Sequence, residues 1–192
     1  MPNLQPNEIV VVSGLPRSGT SMMMQMIEAG GIPALTDSIR ASDDDNPRGY
    51  YELEPVKKLK QSSDHAWLAE AHGRVIKVIH LLLGDLPPDH RYRIVMMNRD
   101  LDEVLASQAA MLQRSGKPVA EPARLKPVFE SQLAQARATI AARPEMTLLD
   151  INHRDAITNP ADVAQQLDAF LGGLNTDAIV SAVDPDLYRN RS

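Results

Sequence analysis

The segment from Ile9 to Ser21 constrains this chain more than any other. Ile9-Val10-Val11-Val12-Ser13 is a β-branched apolar run of the kind that forms a strand buried on both faces. It runs into Gly14-Leu15-Pro16-Arg17-Ser18-Gly19-Thr20-Ser21, which fits the spacing G-x-x-x-x-G-x-[ST]. Glycines let such a loop curl until several backbone N–H groups point at one anion. From Thr20 to Ala29 the methionines and Ile27 supply an apolar helical face, and Gly30-Gly31 stops it. The positive N-terminal end of that helix would add to the cradle. Strand, loop and helix in this order predict a phosphate-binding turn, with hydroxyls at Ser18, Thr20 and Ser21; the plainer reading is a structural strand-to-helix connection. A loop that cleaves nucleoside triphosphates carries Lys directly after its second glycine, where it reaches the transferred phosphoryl group. Here Thr20 stands there and Arg17 is the only cation in the loop, which weakens an ATPase or GTPase reading.

Downstream, strands and helices keep alternating. Thr36 to Tyr51 holds Asp43-Asp44-Asp45, Asn46-Pro47 and Arg48-Gly49, the composition of an ordered surface loop. Glu52 to His72 is predicted helical in two pieces. Val75 to Ile79 and Arg93 to Met97 are predicted strands, separated by turn signals at Gly84 and Pro87-Pro88. Leu101, Val104, Leu105, Ala109 and Leu112 form one apolar stripe at helical spacing, ended by Ser115-Gly116. Pro118, Pro122 and Pro127 predict a loop, Val128 to Ala142 a helix, Thr147 to Ile151 a strand, and Ala161 to Leu171 a helix closed by Gly172-Gly173. Parallel strands need crossovers, and crossovers are usually helical. The expectation is therefore an α/β fold, a three-layer sandwich with a central parallel sheet of the P-loop NTPase-like kind, in one domain over residues 1–192.

Composition narrows the function. A chain of 192 residues buries about 70% of its extended surface, enough for a self-sufficient core. The absence of cysteine excludes disulfides, thiolate metal sites and cysteine nucleophiles, and points to the cytoplasm. Met1 to Glu8 lacks the pattern of a signal peptide, and no apolar run reaches membrane-spanning length. A net charge of −5 disfavours nucleic acid as a partner, so an anion must be caught by a local cluster of donors. His65, His72, His80, His90 and His153 show no repeated ligand spacing, and no metal is expected.

A second anchor stands at Ile94-Val95-Met96-Met97-Asn98-Arg99, a strand that ends in a cation where open α/β sheets bind ligands. Ser107 follows on the predicted helix, off the apolar stripe and on the flank shared with Asp100 and Glu103, which leaves it free to meet a ligand. Taken alone, Arg99 is as readily a salt-bridge partner of Asp100, Asp102 or Glu103. Taken together, the two segments resemble the sulfotransferases that use 3′-phosphoadenosine 5′-phosphosulfate, especially their bacterial members. Pro16-Arg17-Ser18-Gly19-Thr20-Ser21 is similar to that family's 5′-phosphosulfate loop, and Arg99 to Ser107 is similar to its 3′-phosphate motif. The resemblance implies that Arg17, Ser18, Gly19, Thr20 and Ser21 hold the 5′-phosphate and sulfuryl group, and that Arg99 and Ser107 hold the 3′-phosphate.

Elsewhere the resemblance thins. Lys77 and His80 are similar to the Lys-Thr-His of animal cytosolic members, whose histidine is the catalytic base, but the spacing here is Lys-Val-Ile-His. One extra residue turns a side chain to the other face of a strand, so His80 matches only if the strand has ended before it. Asn46-Pro47-Arg48-Gly49-Tyr50-Tyr51-Glu52 resembles a segment of bacterial members and makes Glu52 a second candidate base. The alternative role for Glu52 is a helix N-terminal carboxylate. Tyr50 and Tyr51 are candidates for the acceptor pocket or for the core. The glycine- and lysine-rich C-terminal segment of the animal members is absent, and Arg189 and Arg191 are the cations at that end. The implied reaction moves a sulfuryl group to a hydroxyl or amine of a small-molecule, glycan or lipid acceptor, with Arg17 stabilising the leaving phosphate and no metal required. The competing readings are a P-loop small-molecule or nucleotide kinase and a non-catalytic nucleotide-binding module.

Overall fold

The computed structural model of the protein describes residues 2–37 and 49–184. Four strands build its sheet: β1 Glu8–Gly14, β2 Val75–Lys77, β3 Arg91–Asn98 and β4 Met146–Asn152. All pairings are parallel, and the spatial order is β2-β1-β3-β4. β1 is hydrogen-bonded on both sides, with Val11 opposite Ile76 on one and Ile94 on the other. Every residue of β1 is buried, which is why it reads as a continuous apolar run rather than an alternation. The helices are α1 Thr20–Ala29, the single turn α2 Glu54–Lys57, α3 Leu101–Arg114, α4 Pro122–Ala141, α5 His153–Thr158, α6 Pro160–Leu171 and α7 Thr176–Ala182, with 3-10 segments at Ala66–Ala71 and His80–Asp85.

Successive strand residues point to opposite faces and split the core in two. Ile9, Val11, Ile76, Ile94 and Met96 face one side and pack with Leu68, Leu83, Ala136 and Ile140 from the 3-10 segments and α4. Val10, Val12, Val75, Val95 and Ile151 face the other and pack with Met23, Met24, Ile27, Leu167 and Ile179 from α1, α6 and α7. Helices thus cover both faces of a parallel sheet, the three-layer arrangement expected. From β1 the chain goes outward to β2 and then returns across β1 to β3. The carboxyl ends of β1 and β3 therefore part into a crevice, the place where open α/β sheets bind ligands.

Three segments depart from expectation. Between Glu52 and His72 only α2 and the first 3-10 segment are helical. Ser62-Ser63-Asp64 breaks the stretch: Ser62 Oγ accepts from the Asp64 amide at 3.1 Å, and Asp64 Oδ1 accepts from the Ala66 amide at 3.1 Å, local bonds that compete with a helix. The loop expected through Pro127 is helical from Pro122, because proline suits the first helical position. Pro127 is accommodated because Ala123, whose carbonyl loses its partner, is exposed to water. β2 ends at Lys77 rather than Ile79, and the chain turns at once into the 3-10 segment that starts at His80. α5 and α7 lie outside the expected elements. α5 is too short to show a period, whereas α7 carries a readable cap, Asn175 Oδ1 accepting from the Ala178 amide at 3.1 Å.

Candidate functional site

A cleft of about 600 Å³ opens at the carboxyl ends of the strands, lined by Gly14 from β1, Lys77 from β2, Arg99 just beyond β3 and His153 just beyond β4. The glycine loop between β1 and α1 lines it from Gly14 to Arg17 and again from Gly19 to Ser21. Gly14 sits at φ 151°, and a Cβ there would lie 2.5 Å from Ser18 Oγ and 2.8 Å from the Met97 carbonyl. Gly19 sits at φ 94° as the N-cap of α1, and a Cβ on it would lie 2.4 Å from His153 Cδ2. Both glycines are therefore required by conformation and by close approach. Ser18 is buried, and its hydroxyl donates to the Leu15 carbonyl at 2.7 Å, so its side chain closes the loop and does not line the cleft. Thr20 and Ser21 do line it.

Arg17 adopts φ 71°, an uncommon conformation for a residue with a Cβ. Its backbone is held by Arg99, whose Nη1 donates to the Arg17 carbonyl at 3.0 Å. Its side chain reaches Ser107, with Nε donating to Oγ at 3.1 Å. Ser107 is buried on the cleft side of α3, where its Oγ accepts from Arg17. Arg99 also forms an ion pair with Glu103 at 2.9 Å, both side chains less than a tenth exposed. Ligand anchor and salt-bridge partner are therefore compatible roles for Arg99.

The two candidate bases part company. Glu52 lines the cleft; its carboxylate lies 2.9 Å from Lys57 Nζ, and its carbonyl accepts from Thr36 Oγ1 at 2.8 Å. Lys57 is raised above its ordinary range by its hydrogen bonds to Glu54 and then Glu52, so the cation beside Glu52 stays charged. His80 is buried at 4% exposure and does not line the cleft. Its Nδ1 donates to the Gly14 carbonyl at 3.1 Å, and its Nε2 lies 3.1 Å from the Gln132 carboxamide. β2 does end before His80, as a family-like role demands, but the turn that follows carries the ring behind the loop.

Two cleft residues outrank what their sequence context suggested. Lys77 Nζ donates to Ser21 Oγ at 3.2 Å and to the Tyr50 carbonyl, so a cation from the neighbouring strand stands beside the loop that lacks its own lysine. His153 is buried against Gly19, and its pKa is pushed down to about 4 by burial, helped by the Arg99 charge and opposed by Glu103. Both occupy carboxyl ends of parallel strands, the positional signal that would have singled them out. Tyr50 lines the cleft, whereas the Tyr51 hydroxyl donates to Glu28 at 2.9 Å. Asp43, Asp44, Asp45, Arg189 and Arg191 lie outside the described residues. No helix among the described residues is long and apolar enough to cross a membrane.

No family model and no curated protein matches the sequence. Solved structures do match. The sulfotransferase domain of the Synechococcus PCC 7002 olefin synthase is similar with a TM-score of 0.56 at 15% identity, over 96% of this chain and 80% of that one. The sulfotransferase domain from the curacin biosynthetic pathway is similar with a TM-score of 0.50 at 15% identity, over 96% of this chain and 80% of that one. What the chain shares with them at such identity is the fold.

Proposed function

We propose that the protein is a sulfotransferase that moves the sulfuryl group of 3′-phosphoadenosine 5′-phosphosulfate to a hydroxyl or amine of a small-molecule, glycan or lipid acceptor in the cytoplasm. One observation carries this reading: two motifs far apart in the chain meet, Arg17 Nε on Ser107 Oγ at 3.1 Å and Arg99 Nη1 on the Arg17 carbonyl at 3.0 Å. A cradle for a 5′-phosphate and a cation with a hydroxyl for a 3′-phosphate thereby adjoin, as a nucleotide phosphorylated at both positions requires. ATP has no 3′-phosphate and makes no use of the second anchor.

Each residue's part follows from its chemistry. α1 begins on a glycine with no side chain competing for its first amides and no acid in its first turn, so those amides, with Thr20 and Ser21, receive the 5′-phosphate. Arg17 and Lys77 supply positive charge where the leaving phosphate oxygen gains negative charge. Glu52, which lines the cleft, accepts the proton of the acceptor hydroxyl as its oxygen bonds to sulfur and the bond from sulfur to the phosphate oxygen breaks. Arg99 and Ser107 grip the 3′-phosphate. Calorimetry with 3′,5′-bisphosphoadenosine, ADP and ATP, each with and without magnesium, tests the reading. A metal-independent preference for the bisphosphate is expected; a magnesium-dependent preference for ATP would replace the sulfotransferase with a kinase.

A further inference from the structure

We infer that His80 is a positioning residue, a latch that holds the first peptide of the phosphate loop in its anion-receptive orientation, and that it is not the base. The inference rests on the phosphate-loop part of the proposed function and deepens it.

The peptide in question joins Gly14 to Leu15. Its carbonyl accepts at 3.1 Å from Nδ1 of His80, a buried residue that does not line the cleft. A peptide is planar and trans, so its N–H points opposite to its carbonyl. Holding the carbonyl on His80 therefore turns the Leu15 N–H away from His80. If this peptide flipped, a carbonyl oxygen would turn toward the anion and repel it. Glycine is the residue at which such a flip is sterically easy, and Gly14 is required here by its contacts with Ser18 and Met97. The loop thus needs a residue whose backbone is intrinsically loose at the point where orientation matters most, and something else must hold it.

His80 is built for that task. Its ring is buried, and Nε2 meets the Gln132 carboxamide of α4 at 3.1 Å, which fixes the ring plane from behind. With Nδ1 donating to the Gly14 carbonyl and Nε2 set against Gln132 Oε1, both ring nitrogens are engaged within the protein. The 3-10 segment that carries His80 is itself held by Arg143, in the turn that follows α4, which donates to the carbonyls of Leu83, Gly84 and, just past the segment, Leu86 at 3.3, 3.2 and 2.6 Å. The latch is therefore mounted on a fixed support.

Asparagine and glutamine separate the ring's two nitrogens. His80→Asn places an amide near Nδ1 and keeps a donor for Gly14; His80→Gln places it near Nε2 and keeps only the link to Gln132. Both are polar and close in size to histidine, and a thermal midpoint for each checks folding. Affinities for ADP and 3′,5′-bisphosphoadenosine are measured by calorimetry, turnover of a sulfuryl donor by product formation, and amide exchange of the peptide spanning residues 14–20 by mass spectrometry. His80→Gln is expected to weaken both ligands at least about tenfold and to speed exchange in that peptide, while His80→Asn recovers to within about threefold in affinity and turnover. If both variants keep their affinities and lose turnover, His80 is the base and the latch is overturned. If neither variant changes affinity or loop exchange, the latch is overturned as well. A wild-type protein that binds ADP and the bisphosphate equally removes the sulfotransferase reading but leaves the latch to be judged on ADP alone.

Discussion

At the residue scale, Glu52 and Arg99 make demands of opposite kinds. A general base matters only as its proton moves, so Glu52→Gln is expected to lose about 100-fold or more in turnover while binding 3′,5′-bisphosphoadenosine as the wild type does. Steady-state rates beside calorimetry check this, and an undiminished rate would remove Glu52 from the chemistry. Under the proposed function Arg99 serves a ligand and the fold together. Removing it alone breaks its ion pair with Glu103, buried at 6% exposure, and breaking a buried pair from one side costs about 3 to 5 kcal/mol. The Arg99→Ala/Glu103→Gln double variant avoids that penalty. Charge-assisted bonds contribute about 1.5 to 3 kcal/mol, so the double variant is expected to bind the bisphosphate about 10- to 150-fold more weakly and AMP nearly as before. Equal weakening of both nucleotides would make Arg99 a brace of the Arg17 carbonyl and nothing more. The motif residues themselves were legible in the sequence, because a glycine loop and a strand-end cation are local signals. The Arg99–Glu103 pair, four residues apart, was legible too, whereas the bond from Arg17 to Ser107 joins residues 90 apart in the chain and was not.

At the element scale, the sheet and α4 are tied by one polar junction. Arg137 of α4 donates to Asp150 at 2.7 Å and to Asn98 at 2.7 Å, and Asn98 donates to Asp150 at 2.8 Å. Burial alone would raise the Asp150 carboxyl, but the hydrogen bonds from Arg137 and Asn98 and the Arg137 charge hold it below its ordinary value of 3.8. A carboxyl depressed in the fold stabilises above its unfolded pKa, and that contribution is lost as pH falls through the folded one. Wild type is therefore expected to exceed Arg137→Met in stability near neutrality, with the gap closing below the ordinary value of 3.8. The pair is more than a third exposed, so solvent screening limits the gap to about 0 to 1 kcal/mol. Urea titrations across acidic pH measure it, and a gap independent of pH would assign the effect to packing of the arginine stem. Element existence was largely readable, since β1, α1, α3 and α6 each carry a period or a stop signal of their own. The exceptions have local causes: Ser62 and Asp64 bond to backbone amides that a helix would need, and α5 is a single short stretch with no room for a period.

At the scale of the whole molecule, burial of His153 against Gly19 makes global stability depend on pH. The ordinary histidine value is 6.5, and the folded protein holds His153 down to about 4. Between those values the unfolded chain binds a proton that the folded one refuses, so stability is full above 6.5 and falls as pH drops toward 4. At 1.36 kcal/mol per unit the loss amounts to about 3 kcal/mol. Urea unfolding at about pH 7.5 and about pH 5 is expected to show a shallower loss in His153→Asn than in the wild type; parallel losses would sink the assignment. The sequence by itself determined the layered α/β architecture, the glycine loop between β1 and α1 and the strand-end arginine, because hydrophobic period, glycine placement and strand-to-helix order are written locally. Only the tertiary structure decided which polar side chains share the cleft. His80 turns behind the loop to Gly14 because β2 ends at Lys77, whereas Lys77, Glu52 and His153 line the cleft. One residue of strand length reverses a side chain, and where a strand ends is set by which neighbours remain to pair with it, a property of the folded sheet and not of the residues in sequence.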